Sequence, residues 1–100
     1  MAWFTVRCVF HHADQDAYEE RITLWDASGF EQALEFAERE AERYAAALGD
    51  DARYVGLSQA YEMSEVPQHG AELYSLLRHS ALSAKVYIDT FFTTGHEITQ

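Results

Sequence analysis

The feature that most constrains this chain is a stretch of about twenty residues with apolar side chains at helical spacing. The recurring positions are Phe30, Ala33, Leu34, Ala37, Ala41, Tyr44, Ala45 and Leu48. This stripe predicts an amphipathic helix from about Gly29 to Leu48. Ser28 and Glu31 match a capping box, and Gly49 is a typical residue for ending a helix. Such a helix must bury its stripe against another element, so the rest of the chain has to supply an apolar surface.

Several other segments have the alternation of β-strands. Residues 3–10 and 18–25 flank a polar turn and predict a hairpin, and residues 53–63 predict a third strand. Residues 71–79 fit a strand or a short helix, and their alternation favours a strand. Residues 83–95 are also ambiguous, but a serine at their start that can cap a helix favours the helix.

The predicted element order is therefore ββαββ(α), in one domain of residues 1–100. It favours an α+β fold, in which a mostly antiparallel four-stranded sheet carries one long amphipathic helix on one face. The strand residues expected beneath the helix are Phe4, Val6, Cys8, Phe10, Ile22, Leu24, Val55, Leu57, Tyr61 and Met63.

The opposite face of the sheet is predicted to be rich in aromatic and arginine side chains. The candidate binding residues there are Trp3, Arg7, Arg21, Trp25, Tyr54, Glu72 and Tyr74. Aromatic residues and arginine dominate the energetics of protein interfaces, so we predict a recognition surface. The alternative is that the C-terminal segment folds back and covers this face.

Charge and cysteine content narrow the choice of partners and compartment. The chain has 17 acidic and 7 basic residues, a net charge of −10. This excess argues against nucleic acid and anionic membranes as partners and is compatible with a basic protein partner, or simply with solubility. Cys8 is the only cysteine, which suits a reducing compartment. With neither a signal peptide nor a long apolar stretch, the pattern predicts a cytoplasmic protein.

No motif in the sequence specifies chemistry. The adjacent His11 and His12 have none of the usual zinc-ligand spacings, and the chain lacks nucleotide-binding and nucleophile-elbow motifs. Cys8 shares a strand face with Phe4 and Phe10 and is expected to be a buried hydrophobe rather than a nucleophile. We therefore predict no catalytic residue, no metal and no cofactor.

Four short blocks resemble a small bacterial family known as domain of unknown function 4288. They are Trp3-Phe4-Thr5-Val6-Arg7, Tyr18-Glu19-Glu20-Arg21-Ile22, Tyr54-Val55-Gly56-Leu57 and Glu72-Leu73-Tyr74-Ser75. The resemblance covers most of the chain between Trp3 and Ser75 and implies a bacterial cytoplasmic protein. Its motifs are structural in type, so it implies neither an activity nor a ligand.

The sequence thus favours a small acidic protein-interaction module, either of an immunity type that meets a basic partner or one that self-associates as a dimer. The alternative is a small-molecule-binding protein or enzyme that uses the aromatic and arginine-lined face of the sheet. In that case Arg7, Arg21 and Glu72 would hold a polar or anionic ligand between aromatic rings.

Overall fold

The computed structural model describes residues 1–92 and 95–97, and within them the chain forms three strands and two helices. In chain order these are β1 (Ala2–His12), β2 (Ala17–Ala27), α1 (Phe30–Leu48), β3 (Ala52–Glu62) and α2 (Ala84–Phe91). The strands form an antiparallel sheet in the order β2-β1-β3, and α1 packs across one face. The protein is therefore α+β, as the sequence predicts.

The long helix is confirmed, but its first turn is held differently from the prediction. The capping box is wrong: Gly29 is the N-cap, and no side chain caps the helix there. Instead, the side chain of Gln32 reaches back and accepts a hydrogen bond from the Ser28 backbone N–H at 2.8 Å. At the other end Gly49 adopts a φ of 110°, and its N–H donates to the carbonyl of Ala46. This left-handed backbone is easy only for glycine, so the predicted stop is confirmed.

A stripe of small residues joins α1 to the sheet. Its alanines are at most 5% exposed and lie against the inward side chains of the central strand. The contact is formed by Ala33, Ala37, Ala41 and Ala45 on the helix and by Phe4, Val6, Cys8 and Phe10 on β1. Because alanine has no side chain beyond Cβ, the helix can approach the sheet closely and leave room for larger side chains at its flanks.

The predicted four-stranded sheet is wrong. Residues 71–79, which the structure describes in full, form neither a strand nor a helix. Their alternation is real, but they do not join the hydrogen-bonded ladder of β3. The C-terminal helix is confirmed: Ser83 Oγ accepts a hydrogen bond from the Val86 N–H at 3.3 Å, and α2 ends at Phe91, before Gly95.

The register of the hairpin reverses the predicted orientation of β2. Phe4 pairs with Trp25 and Val6 with Thr23, so the odd-numbered residues of β2 face the helix. Ile22 and Leu24, expected beneath α1, are instead 50% and 43% exposed. Both faces of β2 carry large side chains, so the alternation alone does not choose between them. A shift of one residue in register exchanges the two faces.

The same correction applies to part of β3. Leu57, which was predicted to be in the core, is half exposed, and Tyr61 pairs with Thr5 on the face away from α1. Met63 is buried, as predicted. The pairing of β1 with β3 shifts register between Cys8 and Phe10, opposite Gly56 with its φ of 86°. This irregularity interrupts the alternation that the prediction assumed.

Neither α1 nor α2, the helices of the part of the chain that the structure describes, has the length and apolarity needed to cross a membrane.

The alanine stripe gives the first prediction. We expect Ala37→Leu to lower the free energy of unfolding by about 1–3 kcal/mol, because the larger side chain forces α1 away from the buried side chains of β1. Ala46→Leu is the matched control: Ala46 is exposed on the same helix, and its substitution should change stability by less than about 0.5 kcal/mol. Urea denaturation of both variants provides the measurement. Equal stability of the two would contradict the close helix–sheet contact.

Candidate functional site

The seven predicted binding residues do not share one face. We call the sheet surface that points away from α1 the open face; it comprises the odd-numbered residues of β1 from Trp3 to His11, the even-numbered residues of β2 from Tyr18 to Asp26, and Leu57, Gln59 and Tyr61 of β3. Trp3, Arg7, Glu72 and Tyr74 lie at the open face, whereas Arg21, Trp25 and Tyr54 lie on the side that α1 covers. The predicted common surface is therefore wrong, and the hairpin register is the reason.

The three residues beneath the helix use their polar atoms within the protein. Arg21 forms an ion pair with Glu40 and lies 3.9 Å from the centre of the Tyr44 ring. Trp25 packs against Phe36, and its indole N–H donates to Thr23 Oγ1 at 2.7 Å. The Tyr54 hydroxyl donates to Glu38 at 3.1 Å. These side chains fasten α1 to the sheet rather than forming an open ligand site.

Burial also sets the protonation of two of the groups under α1. Burial raises the pKa of Tyr54 to about 12, and its hydrogen bond to Glu38 acts in the same direction, so the hydroxyl stays a donor. The pKa of the Cys8 thiol is likewise raised, first by burial and then by the nearby Glu38 and Glu40. The expectation that Cys8 is a buried hydrophobe is confirmed.

A polar cluster that the sequence analysis missed lies near the hairpin turn. Glu19 accepts hydrogen bonds from His12 Nε2 at 2.9 Å and from the Tyr44 hydroxyl at 2.8 Å. Burial disfavours ionisation of Glu19, but these two bonds and the charges of His12 and Arg21 outweigh it and lower the pKa of the carboxyl group. A cleft of about 800 Å³ borders the cluster and is also lined by Leu48.

The residues of this cluster are visible in the sequence, but the register between β1 and β2 is what brings them together. Glu19 stands opposite Phe10 in the register and therefore points under α1, where Tyr44 reaches it. His12 belongs to β1 rather than to the predicted polar turn, and its side chain is only 19% exposed. The mutual hydrogen bonds of the cluster stabilise the contact between the hairpin and the C-terminal half of α1.

Residues 71–74 cover the centre of the open face. Thr5 is 2% exposed, and its hydroxyl donates to the carbonyl of Leu73 at 2.6 Å. The Tyr74 ring packs edge-on against Tyr61, and the guanidinium of Arg7 lies 5.4 Å from its centre. The Tyr61 hydroxyl donates to Glu72 at 3.0 Å. The cover is thus formed by residues 71–74, and the alternative in which the C-terminal segment folds back over this face is not supported, since α2 contacts none of the described strands.

Apolar side chains remain exposed on both flanks of this cover. Ile22 and Leu24 lie on the β2 side, and Leu57 lies on the β3 side. Between them Arg7 forms an ion pair with Glu20 at 3.3 Å and donates to Gln59. The open face therefore exposes apolar side chains on both sides of a paired charge, more than the polar face of a solvent-exposed sheet usually does.

The chain then continues as a segment with an apolar surface, residues 75–92, which we call the C-terminal arm. Its large apolar side chains, all at least 41% exposed, are Leu76, Leu77, Leu82, Val86, Ile88, Phe91 and Phe92. Among the described elements, α2 contacts none of the three strands and does not contact α1. Arg78 organises the arm internally, since it donates to the Tyr87 hydroxyl at 3.1 Å and lies 4.4 Å from the centre of the Phe91 ring.

No protein-family model, no curated protein and no solved structure matches this chain. The resemblance to domain of unknown function 4288 therefore stays a prediction.

The cover over the open face gives the second prediction. We expect Thr5→Val to cost about 1 kcal/mol of stability, because the Leu73 carbonyl loses its donor. Backbone amides of residues 71–75 should then exchange with solvent faster. Thr5→Ser keeps the hydroxyl and should preserve the exchange rates of the native protein. The role assigned to this bond is wrong if valine and serine give the same exchange rates.

The lowered pKa of Glu19 gives the third prediction. A carboxyl group whose pKa is lowered in the folded state stabilises the fold at pH values above its ordinary pKa. This contribution is lost as the pH falls through the lowered pKa. We expect the free energy of unfolding of the native protein to exceed that of Glu19→Gln by about 1 kcal/mol at neutral pH. The difference is modest because the carboxylate is only partly shielded from water. The difference should shrink as the pH falls below 4.5, the ordinary value for this group.

Urea denaturation at several pH values measures that difference. Glu42→Gln, at an exposed position on α1, serves as the control and should leave stability nearly independent of this pH range. A Glu19→Gln difference that stays constant down to strongly acidic pH would show that the carboxylate charge does not stabilise the cluster.

Proposed function

We propose that this protein is an interaction module, which binds another protein chain through the flanks of its open face and its C-terminal arm. The observation that carries the proposal is α2, a helix with an apolar stripe that contacts no other described strand or helix. An amphipathic helix normally owes its stability to the packing of its apolar face. A partner chain would supply that packing.

The exposed side chains of the arm and the open face support the same proposal. Ile22 and Leu24 on β2 stand beside one another on one strand face, at alternate positions. Together with the apolar residues of the arm they offer far more hydrophobic surface than isolated exposed residues do. Large exposed apolar areas of this kind mark interaction surfaces on proteins.

The competing small-molecule or enzyme hypothesis loses the set of residues on which it depended. Arg21, Trp25 and Tyr54 are covered by α1 and bind its side chains, so they cannot line a ligand site together with Arg7 and Tyr74. The polar groups of Glu19, His12 and Tyr44 are bonded to one another. The geometry therefore favours protein recognition over ligand chemistry.

We further propose that the module acts in the cytoplasm. The single cysteine, which is buried and free, supports this location, because the fold uses no disulfide that would need an oxidising compartment.

Site-specific photocrosslinking tests the interaction surface, and it is the fourth prediction. A photoreactive phenylalanine analogue placed at Leu24 should give a discrete protein adduct in cells, because this position lies within the proposed contact. The same analogue at Ala46, exposed on the far side of α1, is the control and should give none. Equal adduct patterns at both positions, or no adduct at Leu24, would contradict the proposal.

A further inference from the structure

We propose that the partner is a second copy of this chain, and that the C-terminal arm of each copy packs against the open face of the other. This inference rests on the interaction surface proposed above and names its occupant. The assembly would be a two-fold dimer in which both contacts are the same, arm on β2 flank.

The area of exposed surface supports this occupant. The chain exposes 7427 Å², whereas a compact monomer of 11.4 kDa is expected to expose about 5,800 Å². Its radius of gyration is 15.6 Å, against about 13 Å for a compact domain of this length. If two copies buried the excess, about 1,600 Å² each, the interface would total about 3,200 Å², which is the size class of obligate homodimers.

The distribution of charge supports the same arrangement. The first 74 residues contain fifteen acidic and five basic residues, whereas the arm contains Arg78, Lys85 and Asp89. The arm is therefore weakly basic in a chain that is otherwise strongly acidic. A weakly basic arm is attracted by the net negative charge of a second copy's body, whereas contact between two acidic bodies would be repulsive.

The two proposed contact surfaces, one on α2 and one on β2, are both apolar. Ala84, Tyr87, Ile88 and Phe91 recur at helical spacing and form one apolar face of α2. The other face carries Lys85 and Asp89, which pair at 2.9 Å. On the receiving side, Ile22 and Leu24 are exposed, and the neighbouring Glu20 is already neutralised by Arg7. An apolar stripe can cover Ile22 and Leu24 without burying an unpaired carboxylate of the receiving surface.

Sedimentation equilibrium of the full chain tests the proposal, and it is the fifth prediction. The native protein should have twice the chain mass of 11.4 kDa. Ile88→Glu should weaken the dimer at least about 100-fold, because the change occurs at both symmetric contacts. Val86→Glu is the matched control: Val86 is 47% exposed and Ile88 46%, but Val86 lies on the opposite side of α2. Its dimer should persist.

A second pair of variants locates the receiving surface. Leu24→Glu should also give monomers, whereas Leu48→Glu, at a similarly exposed position on α1, should not. Mixing the Ile88→Glu and Leu24→Glu proteins should restore some dimer, since the mixed pair keeps one intact contact of an arm with an open face. A dimer that survives Leu24→Glu, or variants that fail to complement each other, would overturn the arm-to-sheet arrangement.

A native protein that stays monomeric overturns the dimer, and hydrogen exchange of that monomer then decides the wider proposal. Rapid exchange throughout residues 75–92 would show an uncovered arm, so that the interaction module stands with a different partner. Slow exchange in the arm and in β2 would show that the arm packs on its own sheet, in which case both proposals fail.

Discussion

The contact between four alanines of α1 and the inward face of β1 is the constraint on which the rest of this structure depends. It brings the helix close to the central strand, where Phe4, Val6 and Phe10 are almost completely buried. Small helix residues form the middle of the contact, so larger side chains from β2 and β3 pack along its edges. The core is therefore narrow, and side-chain contacts along the two flanks of α1 add to its stability.

Those contacts are polar as well as aromatic. Arg21 joins Tyr44 and Glu40, while Tyr54 joins Glu38, so each flank of α1 is attached to a neighbouring strand. Glu19 adds hydrogen bonds to His12 and Tyr44 at the hairpin end. Half-buried groups of this type need such partners because burial removes their water. Arg21, Trp25 and Tyr54, which were predicted to belong to a recognition surface, serve instead to orient the helix.

The surface available for recognition lies on the other side and in the arm. Residues 71–74 cover Thr5 and leave the flanking Ile22, Leu24 and Leu57 exposed. The arm then carries an apolar helix beyond the packed body. Both surfaces expose apolar area to water, and packing one against the other would remove part of that area from water on each side. This exposed apolar area is the basis of both the proposed function and the proposed dimer.

Local patterns in the sequence determined α1 with its Gly49 stop, the three long strands and the hairpin, and they favoured the helix that follows Ser83. These depend on neighbours a few residues apart, which one sequence displays directly. Tertiary structure alone decided the faces of β2, the fate of residues 71–79 and the assembly of the Glu19 cluster. The physical reason is that β2 carries bulky side chains on both faces, so only its register with β1 determines which side α1 buries.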